Sequence, residues 1–255
     1  MVPHWLLRRA NGIRKALAGL RPFSESVWPG VRNDLFLAHQ SIYAFAGGWC
    51  AGKRVLDAGC GTGYGSHYLA SHGAAAVTAV DIDPRSIRFA RRHYPLPNLS
   101  FDTSDLQALV PVPEAFDAVV ASNSLEHLQH PGQFFERIRP AITPGASVIV
   151  AVPPIRNADE LALHAGIRYH RAPLSVDQWV DLFTTAGFAI RYFLHQLQDG
   201  QPMLDFASPA ASRHTVDDFL FTETTGEGLR LTPTLTLSSC CEEWKIENGK
   251  LKKCR

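Results

Sequence analysis

The run Val55-Leu56-Asp57-Ala58-Gly59-Cys60-Gly61-Thr62-Gly63-Tyr64-Gly65 limits the possible architectures more than any other part of the chain. An aliphatic stretch enters a loop with glycine at every second position, and helix-compatible residues follow. Glycines there let the backbone turn sharply and approach a ligand closely, as in nucleotide-binding strand–loop–helix units. The same alternation continues downstream. Strands are predicted at 53–58, 76–81, 99–103, 116–122 and 147–152, with a helical stretch through 68–71 and helices over 85–93 and 131–139 between them. Strands that are apolar throughout and separated by helices imply a parallel sheet covered on both faces, hence a doubly wound α/β fold. A helix at 175–185, a strand at 188–197 and an edge strand at 231–237 complete the pattern, Pro233 arguing for the edge.

The loop also restricts the ligand. Asp81 closes the second strand about twenty residues after the turn, where an acid can accept both hydroxyls of a ribose. A dinucleotide site requires G-x-G-x-x-G, whereas this spacing is G-x-G-x-G, with Asp57 just before the first glycine. A carboxylate beside the ligand suits a cation better than a diphosphate. S-adenosylmethionine, which carries a sulfonium and an ammonium but no phosphate, is such a ligand. A nicotinamide dehydrogenase is disfavoured on the same grounds.

Residues 55–65, 77–83, 101–105, 116–128 and 144–153, in that order, resemble the successive motifs of class I S-adenosylmethionine-dependent methyltransferases. The resemblance spans about residues 30–200. It implies a Rossmann-like, seven-stranded, mostly parallel sheet with an antiparallel last strand. It also implies a cofactor site of Asp57, Gly59, Cys60, Gly61, Gly63, Asp81, Ile82, Asp105, Leu106 and Asn123, with Asp81 on the ribose, Ile82 against the adenine and Asp105 near its amino group. The chain further looks like methyltransferases found with bacterial cell-envelope saccharide synthesis and like ubiquinone-pathway O-methyltransferases.

Methyl transfer needs alignment, exclusion of water and, for a hydroxyl acceptor, a base. His127, just past the fourth strand, and His170, in the segment after the fifth, are the candidate catalytic groups. Glu126-His127 is similar to part of a metal-binding pattern in ubiquinone-pathway and small-RNA 2′-O-methyltransferases. That pattern has an acid where this chain has Asn123, so no metal site is assigned. His39 and Tyr43, four residues apart on one helical face, are candidates to line a lid. Arg168 and Arg171 are candidates to hold an anionic acceptor.

Residues 1–45 read as a helical segment and lid, 46–240 as the methyltransferase domain with a substrate-facing insertion at 153–174, and 241–255 as a polar tail. The basic apolar-faced stretch 1–24 reads as a packed helix, a membrane-surface helix or a targeting peptide. Lys plus Arg total 25 and Asp plus Glu 24, so a net charge of +1 gives no general pull toward nucleic acid. The 5 cysteines include no C-x-x-C pair, which argues against a zinc knuckle and for reduced thiols in a cytoplasmic protein. The expectation is an enzyme acting on a small molecule, at an oxygen of a saccharide or related metabolite. A metal-assisted O-methyltransferase and a non-catalytic cofactor-binding module are the alternatives.

Overall fold

The structure, a computed structural model, describes residues 27, 30, 32–153, 155–197, 210–224, 235–239, 244–247 and 250–253. Its first helix, α1 (Asp34–Cys50), is capped by Asn33, whose side chain accepts from the Phe36 N–H. Five strands then alternate with helices: β1 (Arg54–Ala58), α2 (Tyr64–Ser71), β2 (Ala76–Asp81), α3 (Pro84–His93), β3 (Leu99–Thr103), β4 (Phe116–Ser122), α4 (Pro131–Ile138) and β5 (Ile142–Val152). All five pair in parallel in the order β3-β2-β1-β4-β5. This is the doubly wound sheet that the apolar runs imply.

Alternation along the strands divides the core between two faces. On one face, Leu56, Val119 and Val150 meet Phe134, Phe135 and Ile138 of α4, together with Trp179 and Phe183 of α6 (Val176–Thr185). On the other, Val55, Val120 and Ile149 meet Tyr43, Ala46 and Trp49 of α1, Leu69 of α2 and Ile87 of α3. Strand order reverses between β1 and β4, and in such sheets the crevice beyond the strand ends at that point is where ligands bind.

Beyond β5 the backbone pairings are antiparallel. They involve β6 (Arg191–Leu197), β7 (Phe219–Thr224) and β8 (Leu235–Ser239), and the full order is β3-β2-β1-β4-β5-β8-β6-β7. Of the strand expected at 231–237, the described part belongs to β8, which lies between β5 and β6 instead of at an edge. Pro233 lies outside the described residues.

Other expectations also need correction. The strand predicted from residue 147 starts at Ile142 and runs through Pro144-Gly145, with a register shift against β4 and Gly145 at φ +77°. The 153–174 insertion holds a helix, α5 (Ala158–Ala165), capped by Asn157, whose side chain accepts from the Glu160 N–H. Within the expected polar tail, β9 (Trp244–Glu247) and β10 (Lys250–Lys253) pair antiparallel, and the sequence between them is Asn248-Gly249. The basic stretch 1–24 lies outside the described residues, as do Cys240, Cys241 and Cys254. Among the described residues no helix is long and apolar enough to cross a membrane.

Candidate active site

A cavity of about 360 Å³ opens at the carboxyl ends of β1, β2 and β4, lined by the glycine loop, α1 and the segment after β5. It gathers Gly59, Cys60, Gly61, Asp81, Ile82, Asp105, Leu106, Asn123, His127, His39, Tyr43 and Arg171 of the residues singled out from sequence. Asp57, Gly63, His170 and Arg168 do not line it.

The backbone donors of the loop face inward. Gly59 and Cys60 both donate to the Val80 carbonyl, at 2.8 and 2.9 Å, and Gly63 donates to Cys60 at 3.0 Å. Gly61 donates to an Asp81 carboxylate oxygen at 2.8 Å, and the other Asp81 oxygen accepts from the Asp83 N–H at 2.8 Å. A diphosphate needs free N–H groups pointing outward, and those of Gly59, Cys60, Gly61 and Gly63 are already engaged. Asp81, Asp83 and Asp105 all line the cavity. Burial raises the Asp81 pKa above the ordinary carboxylate value, while its two backbone donors pull it the other way.

Asp57 belongs to the support of the loop. It shares the strand face of Val55, beneath α1 and α2, which takes it away from the cavity. Fully buried, it accepts from Tyr43 Oη at 3.1 Å and from Ser66 Oγ at 2.6 Å. Burial pushes its pKa up to about 7, against the pull of those two hydroxyls. A raised carboxylate pKa means that the folded chain holds this proton more tightly than the unfolded chain does. Its contribution to stability is therefore present at low pH and lost as pH rises from about 4 through about 7. Denaturant midpoints at pH 5 and pH 8 are expected to differ less in Asp57→Asn than in the parent. An equal difference in both proteins would remove this group as the cause.

Gly63, at φ +84°, is required by packing: a Cβ there would meet Ala90 at 2.6 Å and Phe101 at 2.8 Å. Asn123 adopts φ +48°, a left-handed conformation that asparagine tolerates better than most residues. Next to it, Ser124 donates to the Ala58 carbonyl at 2.8 Å and fills the space where a Cβ of Gly59 would lie. The tip of β4 is thereby locked onto the glycine loop. Ile82 is 67% exposed although it lines the cavity, leaving a flat apolar face open to a ligand. Asp105 uses one oxygen to cap the following turn through the Gln107 N–H.

The opposite wall carries imidazoles. His127 Nδ1 lies 3.0 Å from the Tyr169 carbonyl, so it bears the proton and leaves the Nε2 lone pair free. His39 faces the same space, with its pKa lowered to about 4 by burial and then by His127. Behind the wall, His170 packs edge-on against His127, with ring centroids 5.2 Å apart. Its pKa is lowered to about 4 by burial and by the His127 and His164 rings. Glu126 is 3% exposed; burial pushes its pKa up to about 7, and its Oε2 has no hydrogen-bond partner. Ligand atoms of Glu126, His127 and His170 lie within 4.8 Å of one another. Arg171 reaches the cavity, whereas the Arg168 guanidinium lies over the Tyr169 ring at 5.5 Å. Sequence reasoning did not assign site roles to His164, Tyr169 or Gln107. A second histidine six residues before His170 was the available signal for the first of these.

Residues 55–145 match the family described as Methyltransferase domain. The stretch is a methyltransferase domain. It is similar to the class I, S-adenosylmethionine-dependent type. Over 172 residues the chain is 30% identical to a probable S-adenosylmethionine-dependent methyltransferase of Mycolicibacterium smegmatis, covering 65% of this chain and 64% of that protein. Over 102 residues it is 40% identical to a ubiquinone biosynthesis O-methyltransferase of Methylocella silvestris, covering 39% and 40%. The chain thus spans less than two thirds of the length of these curated relatives. In fold, it is similar to an S-adenosylmethionine-dependent methyltransferase from Mesorhizobium loti, with a TM-score of 0.54, 19% identity, and 75% and 92% coverage. The cavity suits such a cofactor on structural grounds: the engaged loop donors and the acidic lining are better matched to a cation with a ribose than to a diphosphate.

Proposed function

We propose that the protein moves a methyl group from S-adenosylmethionine to an oxygen of a small-molecule acceptor, a saccharide or related metabolite, in the cytoplasm. One observation carries this reading: a single cavity is lined both by carboxylates and the glycine loop and by an imidazole oriented through its Nδ1, with Arg171. When bound, the cofactor supplies a methyl group already activated by its sulfonium. In this reading Asp81 holds the ribose hydroxyls, Ile82 and Leu106 enclose the adenine, and Asp105 accepts from its amino group. Asn123 stands where the amino acid end would lie. His127 Nε2 takes the acceptor's hydroxyl proton as the C–O bond forms and the C–S bond breaks. Tyr43, His39 and the α1 helix exclude water, and Arg171 favours an acceptor with an anionic group. The test is mass spectrometry of metabolite extracts incubated with protein and cofactor. A product heavier by one methyl group, absent with His127→Ala, is expected. Methylation only at nitrogen or carbon would overturn the oxygen assignment.

A second reading is favoured by the buried Glu126 Oε2, which has no hydrogen-bond partner, and by the clustering of Glu126, His127 and His170 ligand atoms within 4.8 Å. Those three side chains would hold a divalent ion, whose chemistry there is to lower the pKa of a bound hydroxyl. Asn123 in place of an acid leaves one anionic ligand fewer. Calorimetry with Mn²⁺ is expected to show binding that weakens at least about tenfold in Glu126→Gln, the scale typical of disturbed metal sites. Identical heats for the two proteins would eliminate this version.

A further inference from the structure

Asp105 sits on a turn with little support of its own. It caps a single 3₁₀ turn, Leu106–Ala108, that follows β3, the outermost strand of the sheet. Leu106 is the one buried residue of that turn, and beyond it Val110 and Val112 are exposed. A carboxylate in such a place reads a ligand with fixed geometry only if the turn is anchored. Gln107 supplies two anchors. Its backbone N–H donates to Asp105 Oδ1 at 2.9 Å, and its side-chain Oε1 accepts from the His130 N–H at 2.7 Å. A backbone N–H can only donate, so the oxygen end of this carboxamide is the end on His130. His130 is the cap residue of α4, the helix after β4, and its own side chain makes no capping bond. The tie therefore joins the loops that follow two different strands. Leu106 and Leu128 belong to one buried cluster, and both line the cavity with Asp105 and Gln107.

We propose that Gln107 is a positioning residue that makes the site selective for adenine, by tying the Asp105 turn to the start of α4. This deepens, and rests on, the reading of the cavity as an S-adenosylmethionine site with Asp105 on the adenine amino group. Adenine and unsubstituted purine share a shape and differ by the amino group at C6. A carboxylate held within hydrogen-bond reach of that group separates the two sharply. Where the turn drifts, a water can stand between carboxylate and ring, and the distinction weakens. Gln107 performs no chemistry and acts through Asp105. Its effect is on which base is accepted.

Calorimetric titration of the full chain with S-adenosylhomocysteine, and with its 6-deamino counterpart carrying purine in place of adenine, measures this selectivity. The parent is expected to prefer the adenine compound at least about tenfold, the scale of one hydrogen bond to a charged group. Gln107→Leu is similar in size but offers the His130 N–H no acceptor. Its preference is expected to fall by about threefold or more, the scale of one neutral hydrogen bond. In Gln107→Glu, whose carboxylate still accepts from that N–H, the preference is retained. A Leu variant as selective as the parent, or a Glu variant that loses as much as the Leu variant, would overturn the proposal. A parent that binds both compounds equally would overturn it too. No heat with either compound in the parent would overturn the cofactor reading and the proposal with it. Binding of the adenine compound by the parent thus tells the two failures apart.

Discussion

Asp81→Ala is expected to weaken S-adenosylmethionine binding about a hundredfold or more. The Asp81 carboxylate already accepts two backbone N–H groups, those of Gly61 and Asp83, each at 2.8 Å. An ionised carboxylate offers about four acceptor positions, so about two remain for a ribose diol. Two hydrogen bonds to a charged group, at about 1.5 kcal/mol each, amount to about 3 kcal/mol, or roughly a hundredfold in affinity. Losing the anchors of Gly61 and Asp83 also loosens the loop, which makes the figure a lower bound. Asp81→Asn keeps an acceptor oxygen and is expected to lose only about tenfold. Isothermal calorimetry measures both. Unchanged affinity in the alanine variant would displace the cofactor from this loop.

The second large effect concerns Gly65. Helix propensity alone would favour alanine there by about 1 kcal/mol. Packing opposes it, because an added Cβ would lie 2.2 Å from the Tyr43 ring. Overfilling of this kind costs about 1–3 kcal/mol. Displacing Tyr43 also takes a hydroxyl donor from the buried Asp57, for about 1–3 kcal/mol more. Gly65→Ala is therefore expected to lower stability by about 3 kcal/mol, which in a chain of this size is a fall in Tm of about 6–12 °C. Because the clash involves one partner, the cost should shrink when Tyr43 is also truncated. A double-mutant cycle with Tyr43→Ala is expected to give a coupling of about 1–2 kcal/mol. Strict additivity in thermal unfolding would show that Gly65 and Tyr43 do not share this space.

The parallel half of the sheet was legible because its central strands are mostly apolar and buried and each strand is bounded by glycine, proline or a capping acid. Asp83 before Pro84 illustrates this: its carboxylate accepts from the Arg85 N–H at the start of α3. The cavity residues were legible for a related reason, since parallel strands bring their carboxyl ends to one edge. What sequence concealed were facings and local caps. Nothing in the glycine motif announces that Asp57 turns toward Tyr43 and Ser66, though its shared parity with Val55 carried that information. Helix α5 went unread because Asn157, three residues before Glu160, lies in a polar stretch bounded by prolines. The β9–β10 pair went unread although Asn248-Gly249 is a strong hairpin signal. Charged residues on both sides, from Glu242 to Lys253, made it resemble a solvated tail. The meeting of His164, His170 and His127 depends on the return of the chain after β5, and no local pattern encodes it.

Glycine spacing is commonly treated as the dial that selects between nucleotide classes. In this domain the ties from Gly59 and Cys60 to Val80, and from Gly61 to Asp81, suggest that the dial turns nothing by itself. A redesign that inserted one residue to restore the dinucleotide spacing would still meet a bend whose amide hydrogens are pinned to the neighbouring strand. Switching this scaffold to a nicotinamide coenzyme would begin at the end of β2, by cutting those tethers.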